Sequence, residues 1–470
     1  MFSIGPIILE VLFVLLKPQE LWPFLGAIQP LYTIPGLIVL GFVFDAGRYA
    51  IRSSQMSASP FLLPALALFF WAMFATAVSA PETVTPEAIL FGTSLILSLS
   101  IAHALQNLRL YRILAASLLG LALFFSYVAV DQAMAPMKCF YAFAYDQKTN
   151  IATGKACKLA EQCPAVDEDY EGSDEKFWKC KHPGLMNTSS IDGSIRFRGY
   201  LEDPNEFSLA TAMGLPFALA FWERRKRLYT AIIAGGSFLL VGACIFFSQS
   251  RGSQIALLAV FGTKFIHRYG WKKGGLVMGI AAVPLMILGS MTGRKAEDAE
   301  GSAQERTELL AAGIQMVQST PILGVGKGQF AAREYMTAHN SYVLVAAELG
   351  VVGFVMWSIV FYTAMKIPIC ALRDLEGRAG EGAAECRIWS SALVASLVSG
   401  MIGAFFLSWS YHNYLWIYVG VAGALFGVVR KELPGFSVGM SSKELGALVA
   451  VDVALLAGIG GYAKYKLAGH

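Results

Sequence analysis

Apolar runs about as long as a membrane is thick recur along almost the whole chain, and nothing else in the sequence restricts its fold as strongly. A spanning helix needs about 20 mostly apolar residues. Such runs fall near 3–16, 31–46, 60–78, 87–104, 111–131, 203–221, 229–247, 253–267, 274–291, 341–367, 388–407, 412–429 and 445–463. The chain has 470 residues, 56% of them hydrophobic and 15% charged, against roughly 25% charged in a soluble domain. Only helices and closed barrels satisfy the backbone in lipid, and barrel strands would alternate in polarity where these runs do not. The expected fold is therefore all-α: a polytopic transmembrane helical bundle of about 12–13 helices. Met1–Leu16 lacks a basic start and a small-residue cleavage site, so it is read as a membrane segment rather than a leader.

The basic residues orient the bundle. One set of short loops carries nineteen Lys and Arg, including Arg224-Arg225-Lys226-Arg227 and Lys272-Lys273; the opposite set carries only Lys17 and Arg251. The first set is expected to face the cytoplasm. Two long polar segments, 132–202 and 292–340, then face outward. The chain divides into N-terminal transmembrane helices (1–131), a Cys-containing outer loop (132–202), transmembrane helices (203–291), a second outer loop holding site residues (292–340) and C-terminal transmembrane helices (341–470). Cys139, Cys157, Cys163 and Cys180 all fall in the first outer loop. An even cluster there suits two disulfides in an oxidising compartment. Three pairings are open. A four-thiolate zinc site is the rival, but spacings of 17, 5 and 16 residues between successive thiols lack the close ligand pairs such sites use. No metal is expected.

No Walker-type loop, dinucleotide fingerprint or H-E-x-x-H motif is present, so neither nucleotide hydrolysis nor a cofactor is expected. Four polar features collect on the outer side instead. Arg196-Phe197-Arg198-Gly199 leads into Asp203-Pro204-Asn205, which reads as a capped helix start and equally as an anion site, arginines beside a helix N-terminus. Ser248-Gln249-Ser250-Arg251-Gly252-Ser253 is a tight turn whose arginine breaks the charge pattern. It either snorkels to the interface or holds a phosphate in a fork. Arg306 lies in 303–317, which reads as an amphipathic interfacial helix, and Arg306 by itself reads as a solvated charge on it. The whole segment 292–340 holds five positive and six negative side chains, so anion binding there must be local. The glycine-rich stretch Gly324-Val325-Gly326-Lys327-Gly328 reads as a turn held close to its neighbours.

His339-Asn340 stands at the mouth of the apolar run 341–367, with Glu348 inside it. Ionisable groups at such depth are costly and mark functional sites, and an imidazole titrates near neutrality. Gly350 and Gly353 suit close helix packing. A second pair, His412-Asn413, sits among aromatic residues and reads as part of an interfacial belt.

Taken in order, Arg198-Gly199, Asp203-Pro204-Asn205, Ser250-Arg251-Gly252, Arg306, Pro321-Ile322-Leu323-Gly324-Val325-Gly326, and His339-Asn340 with Gly350 and Gly353 resemble the O-antigen ligase-related family. That family includes WaaL-type ligases, Wzy-type polymerases and some protein O-oligosaccharyltransferases. The resemblance covers roughly 196–353; the four-cysteine loop is not part of it. It implies a multi-pass protein of the bacterial inner membrane with its active site facing the periplasm. It implies transfer of a glycan from an undecaprenyl-diphosphate carrier to an acceptor hydroxyl, on a polysaccharide repeat unit or a lipid core, without metal. In that reading Arg198, Arg251, Arg306 and Arg196 bind the diphosphate and stabilise its leaving charge. His339 activates the acceptor, with Asn340 and Glu348 in support. The expected partners are glycan donor and acceptor, the membrane, a flippase and a chain-length regulator, and no nucleic acid. The alternatives are a protein O-oligosaccharyltransferase and a small-anion transporter. The latter would place polar groups near the midplane and show related halves, and the sequence shows neither.

Overall fold

The computed structural model describes residues 2–49, 59–143, 151–159, 162–163, 176–190, 194–197, 201–291 and 296–468. Its longer helices are α1 (Ile4–Leu16), α2 (Pro30–Tyr49), α3 (Leu62–Ser79), α4 (Val84–Ala104), α5 (Leu108–Met134), α6 (Pro204–Arg225), α7 (Leu228–Ser248), α8 (Arg251–Met291), α9 (Ala296–Ser319), α10 (Ser341–Asp374), α11 (Glu381–Phe406), α12 (Asn413–Glu432) and α13 (Ser442–Ala468). Every apolar run of the sequence has a helical counterpart, and the polytopic all-helical bundle expected from composition is what forms. Among the described residues, eight helices are long and apolar enough to cross a membrane. α1, with 13 residues, is too short to do so upright.

The bundle is centred on α12, which is buried along nearly all its length and packs on α4, α10 and α11. Its aromatic residues interlock with those of its neighbours: Trp416 meets Phe91 and Phe361 at centroid distances of 5.3 and 5.8 Å. Helix starts are fixed by the residues the sequence offers for the purpose. Asp203 accepts from the Asn205 and Glu206 amides at 2.7 and 3.2 Å, with Pro204 at the first helical position. His412 caps α12 through Nδ1, which accepts from the Tyr414 amide at 3.1 Å. The expected belt histidine is thus a helix cap, stacked on Trp409 at 5.2 Å.

Two glycines fold helices back on themselves. In α8 the chain turns at Gly270 (φ 80°), so that a Cβ on Gly274 would lie 2.7 Å from the Ile266 Cα. This turn separates the two runs expected at 253–267 and 274–291. In α10 the turn is at Gly350 (φ 69°) and corrects the expected uninterrupted helix over 341–367. The Tyr342 ring lies 6.4 Å from that of Phe354 and 5.3 Å from that of Trp357. A straight helix would separate those residues by about 18 and 22 Å. Residues 341–349 therefore form a half-helix packed against the start of a longer one.

The segment 321–328 runs across this turn. Val325 and Gly326 donate to the carbonyls of Ala347 and Glu348 at 3.0 and 2.9 Å, and Val351 donates to Pro321 at 2.8 Å. Trp71 of α3 donates to the Leu349 carbonyl at 2.9 Å. These bonds replace helical ones lost at the break, which an apolar surrounding otherwise makes expensive.

In the Cys-containing loop, β1 (Lys138–Phe143) pairs antiparallel with β2 (Ile151–Ala156) and β3 (Lys176–Lys181), in the order β2-β1-β3. Disulfides join Cys139 to Cys163 and Cys157 to Cys180, which settles the pairing that spacing left open. Cys244, Cys370 and Cys386 are free and buried. Alkylation of the denatured, unreduced protein is accordingly expected to label three thiols, and seven after reduction. Intact mass reads the difference, and seven labels without reduction would remove the disulfides.

Candidate functional site

Four strands of sequence meet at a cavity of about 370 Å³, within the range of small-ligand sites. The first is the start of α6, capped by Asp203, whose Asn205 lines the wall. The second is the turn between α7 and α8. Gln249 adopts a left-handed backbone there (φ 56°), and Arg251 and Gly252 open onto the cavity. The serines around Arg251 are committed elsewhere. Ser253 Oγ receives a bond from Ser250 Oγ (3.0 Å), lies 2.7 Å from Ser208 Oγ, and donates to the Asn205 carbonyl at 3.2 Å. They tie the turn to α6 and leave the guanidinium as the group presented to the cavity. Arg251 forms no ion pair with any carboxylate among the described residues.

The third strand is α9. Arg306, half-buried, lines the cavity beside Thr307 and Leu310. The helix is amphipathic as expected, with Leu309 and Met316 buried against α10 and α13, but Arg306 is a wall of the cavity rather than a solvated surface charge. The fourth is Ala338-His339-Asn340. His339 has φ 48°, a left-handed backbone uncommon outside glycine, of the kind that clusters at functional sites. The sequence gives no sign of it. Asn340 holds this conformation in place. Its Oδ1 caps the half-helix, accepting from Tyr342 and Val343 at 3.0 Å each, and its Nδ2 donates to the Phe405 carbonyl at 2.9 Å. Asn340 thus fixes the backbone next to His339 to the start of the half-helix and to α11.

The cavity is electropositive for two reasons. Arg251 and Arg306 supply charge, and three helix N-termini open onto it: α6, α8 and the half-helix of α10. The helix dipole favours anions at such ends, although Asp203, Asn340 and Ser250 already take up some of their amides. The same field acts on His339, whose pKa is held below the usual histidine value, first by burial and then by the Arg306 guanidinium; Asp203 and Glu305 pull weakly the other way. At neutral pH the ring is therefore neutral and able to accept a proton.

Two expected residues, Arg196 and Glu348, are not at this cavity. Arg196 donates through Nε to the Ser189 carbonyl at 3.0 Å while its backbone amide donates to Gln132 of α5 at 2.9 Å. Its local hydrogen bonds, strong where a polar side chain is half-buried, hold it in the fold of the loop. Arg198 lies outside the described residues. Glu348 is turned away from the imidazole. Its Oε1 accepts from the Gly328 and Phe330 amides at 2.9 and 3.4 Å, so it organises the 321–330 turn.

Lys327, 2% exposed, stands beside it, paired with Glu87 of α4 and over the Tyr411 ring at 4.8 Å. Removing one member of a buried pair strands the other. Lys327→Met is expected to destabilise the protein by about 3 kcal/mol, and Lys327→Met combined with Glu87→Gln by much less. Thermal melts of the detergent-solubilised variants test this, and additive losses would rule out the coupling. Conversely, Tyr462 of α13 and Phe405 and Phe406 of α11 line the cavity. Nothing near them in sequence marks them, because they arrive only through helix packing.

The O-Antigen ligase family model matches residues 236–358, a stretch that contains Arg251, Arg306, His339 and the turn at Gly350. The exopolysaccharide production protein ExoQ of Rhizobium meliloti (strain 1021) is 24% identical over 214 residues, which are 38% of this chain and 48% of that protein. The match thus spans about half the length of that curated relative. Three of the four cavity-forming segments fall inside the stretch that is similar to the O-antigen ligase family, in a chain built as a polytopic helical bundle.

Proposed function

We propose that the protein is a ligase- or polymerase-type glycosyltransferase of cell-surface polysaccharide synthesis, moving a glycan from an undecaprenyl-diphosphate carrier onto an acceptor hydroxyl at the periplasmic face of the inner membrane. The observation that carries this reading is the convergence of Arg251, Arg306, His339 and three helix N-termini on one cavity. In the reaction the acceptor oxygen bonds to the anomeric carbon as the carbon–oxygen bond to the diphosphate breaks. The lipid diphosphate leaves with the bonding pair. Its charge grows where the guanidinium groups and helix ends already point, which lowers the barrier without reorganisation. The acceptor proton passes to the neutral His339 ring. Asn340 keeps that ring at the cavity by pinning the backbone on either side, and Glu348 acts at a distance by fixing the turn on which the half-helix rests. The name of the exopolysaccharide relative and the family match support a polysaccharide acceptor over a small-anion cargo, as does the position of the polar groups at one end of the helices rather than between them.

Purified protein in proteoliposomes, given an undecaprenyl-diphosphate glycan, is expected to release lipid diphosphate in step with elongation of a glycan or lipid-core acceptor, without nucleotide. Release with no acceptor growth on glycan, lipid or protein, or chloride and phosphate flux across the same liposomes, would count against this reading.

A further inference from the structure

The same helices that build the candidate site carry a second cavity at their other ends. On α6 the wall shifts from Asn205 to Trp222 and Glu223, on α8 from Arg251 to Lys264 and Arg268, and on α11 from Phe405 to Arg387. Each step is 17–18 residues or, for Lys264, 13, so the outermost residues lie about 25–27 Å apart along the helix axes. That is close to the thickness of a bilayer's hydrocarbon core, about 30 Å. The second cavity, of about 650 Å³, therefore faces the opposite leaflet, at the ends where the chain concentrates its short-loop lysines and arginines.

Its chemistry is divided. The floor is apolar and largely aromatic: Phe238 from α7, Phe261 and Phe265 from α8, and Leu219 and Ile388 from α6 and α11. The rim is basic. Lys264 is neutralised by Glu223 at 3.2 Å, which leaves Arg268 and Arg387 without a carboxylate partner among the described residues. Arg268 lies over the Tyr269 ring at 5.7 Å, which holds the guanidinium plane at the mouth. An apolar trough with two uncompensated arginines at its edge matches a molecule with a hydrocarbon chain and an anionic phosphate head. A free phosphate would leave the trough empty, and a neutral lipid would leave the arginines unmatched.

We propose that this cavity is a binding site for an anionic phospholipid of the inner leaflet, its phosphate held by Arg268 and Arg387 and one acyl chain on the Phe238–Phe261–Phe265 floor. Arginine forks bind phosphate well, and basic pockets between helices on the cytoplasmic side take anionic head groups. The inference uses none of the candidate-site residues and stands apart from the transfer reaction.

Trp222, which lines the cavity, is the reporter. Full-length protein in neutral detergent is titrated with phosphatidylglycerol or phosphatidylcholine bearing brominated acyl chains, and the quenching lost in Trp222→Phe isolates the signal from this site. Phosphatidylglycerol is expected to reach half-quenching at a concentration about tenfold lower than phosphatidylcholine. Arg268→Gln with Arg387→Gln is expected to bring the two curves together. If that pair does not fold, Arg387→Gln alone is expected to reduce the preference about threefold. Equal half-quenching concentrations in the wild type overturn the proposal, as does a preference unchanged in the arginine variants. Inorganic phosphate at the lipid concentration is expected to leave the quenching intact; displacement by it makes the cavity a phosphate site and removes the lipid.

Discussion

Replacing His339 by alanine is expected to lower glycan transfer by about 10²–10⁴-fold, the usual worth of a positioned general base, while the bundle stays folded. The side chain lies at the cavity wall and the local backbone is held by Asn340, not by the ring. The more telling result is the pH profile. Burial and Arg306 both hold the His339 pKa below the ordinary 6.5. A base works only when unprotonated, so kcat/KM rises with pH along an acid limb whose midpoint lies below 6.5 and is level through neutrality. Arg306→Gln removes one of the two causes that lower this pKa and leaves Asp203 and Glu305, which raise it. The limb must then move to higher pH while the plateau falls by about 10²-fold through the lost charge at the leaving group. A plateau loss with an unmoved limb would show that Arg306 acts on the donor alone and that another group takes the proton.

Gly350→Val is expected to prevent assembly of the bundle, at a cost of about 4–6 kcal/mol from left-handed strain together with overpacking. The backbone there has φ 69°, and a Cβ would collide with the Ile322 carbonyl, which is backbone and cannot swing aside. Gly324 faces the same turn from the other side, where a Cβ would strike the Glu348 carbonyl. The turn therefore has no slack on either face. Gly353→Ala is expected to cost less. Its backbone is not left-handed, so the cost is overpacking alone, against the Leu349 Cβ and, at 3.0 Å, the Trp71 ring. Size-exclusion profiles and melting temperatures in detergent separate these outcomes. A monodisperse Gly350→Val protein with near-native melting temperature would mean that residues 341–374 tolerate a straight helix. The half-helix would then not be needed to bring His339 to Arg251 and Arg306.

These two results mark where the sequence stops being informative. Apolar runs about 20 residues long dictate helices in lipid whatever their neighbours are, so the bundle, its helix positions and the turn near residue 270 follow from local composition alone. The cap at Asp203 before Pro204 follows likewise, since it satisfies amides only a few residues away. The ordered arginines and His339 identified the family stretch, because those residue types in that order are local text.

What no local rule contains is the fold-back at Gly350, which makes a half-helix of 341–349 and decides where His339 lies. A glycine in an apolar run reads equally as a packing contact or as a turn. The choice is made by the 321–328 segment, whose amides and carbonyls take up the bonds the broken helix loses. The same holds for Glu348, eight residues beyond Asn340 yet turned toward Gly328 and Phe330, and for Arg196, spent on its own loop. Sequence set which groups the membrane would have to accommodate. Tertiary packing decided which of them met in one cavity, because in an apolar interior each polar group goes to whichever partner the fold brings within reach, and that partner is usually distant in the chain.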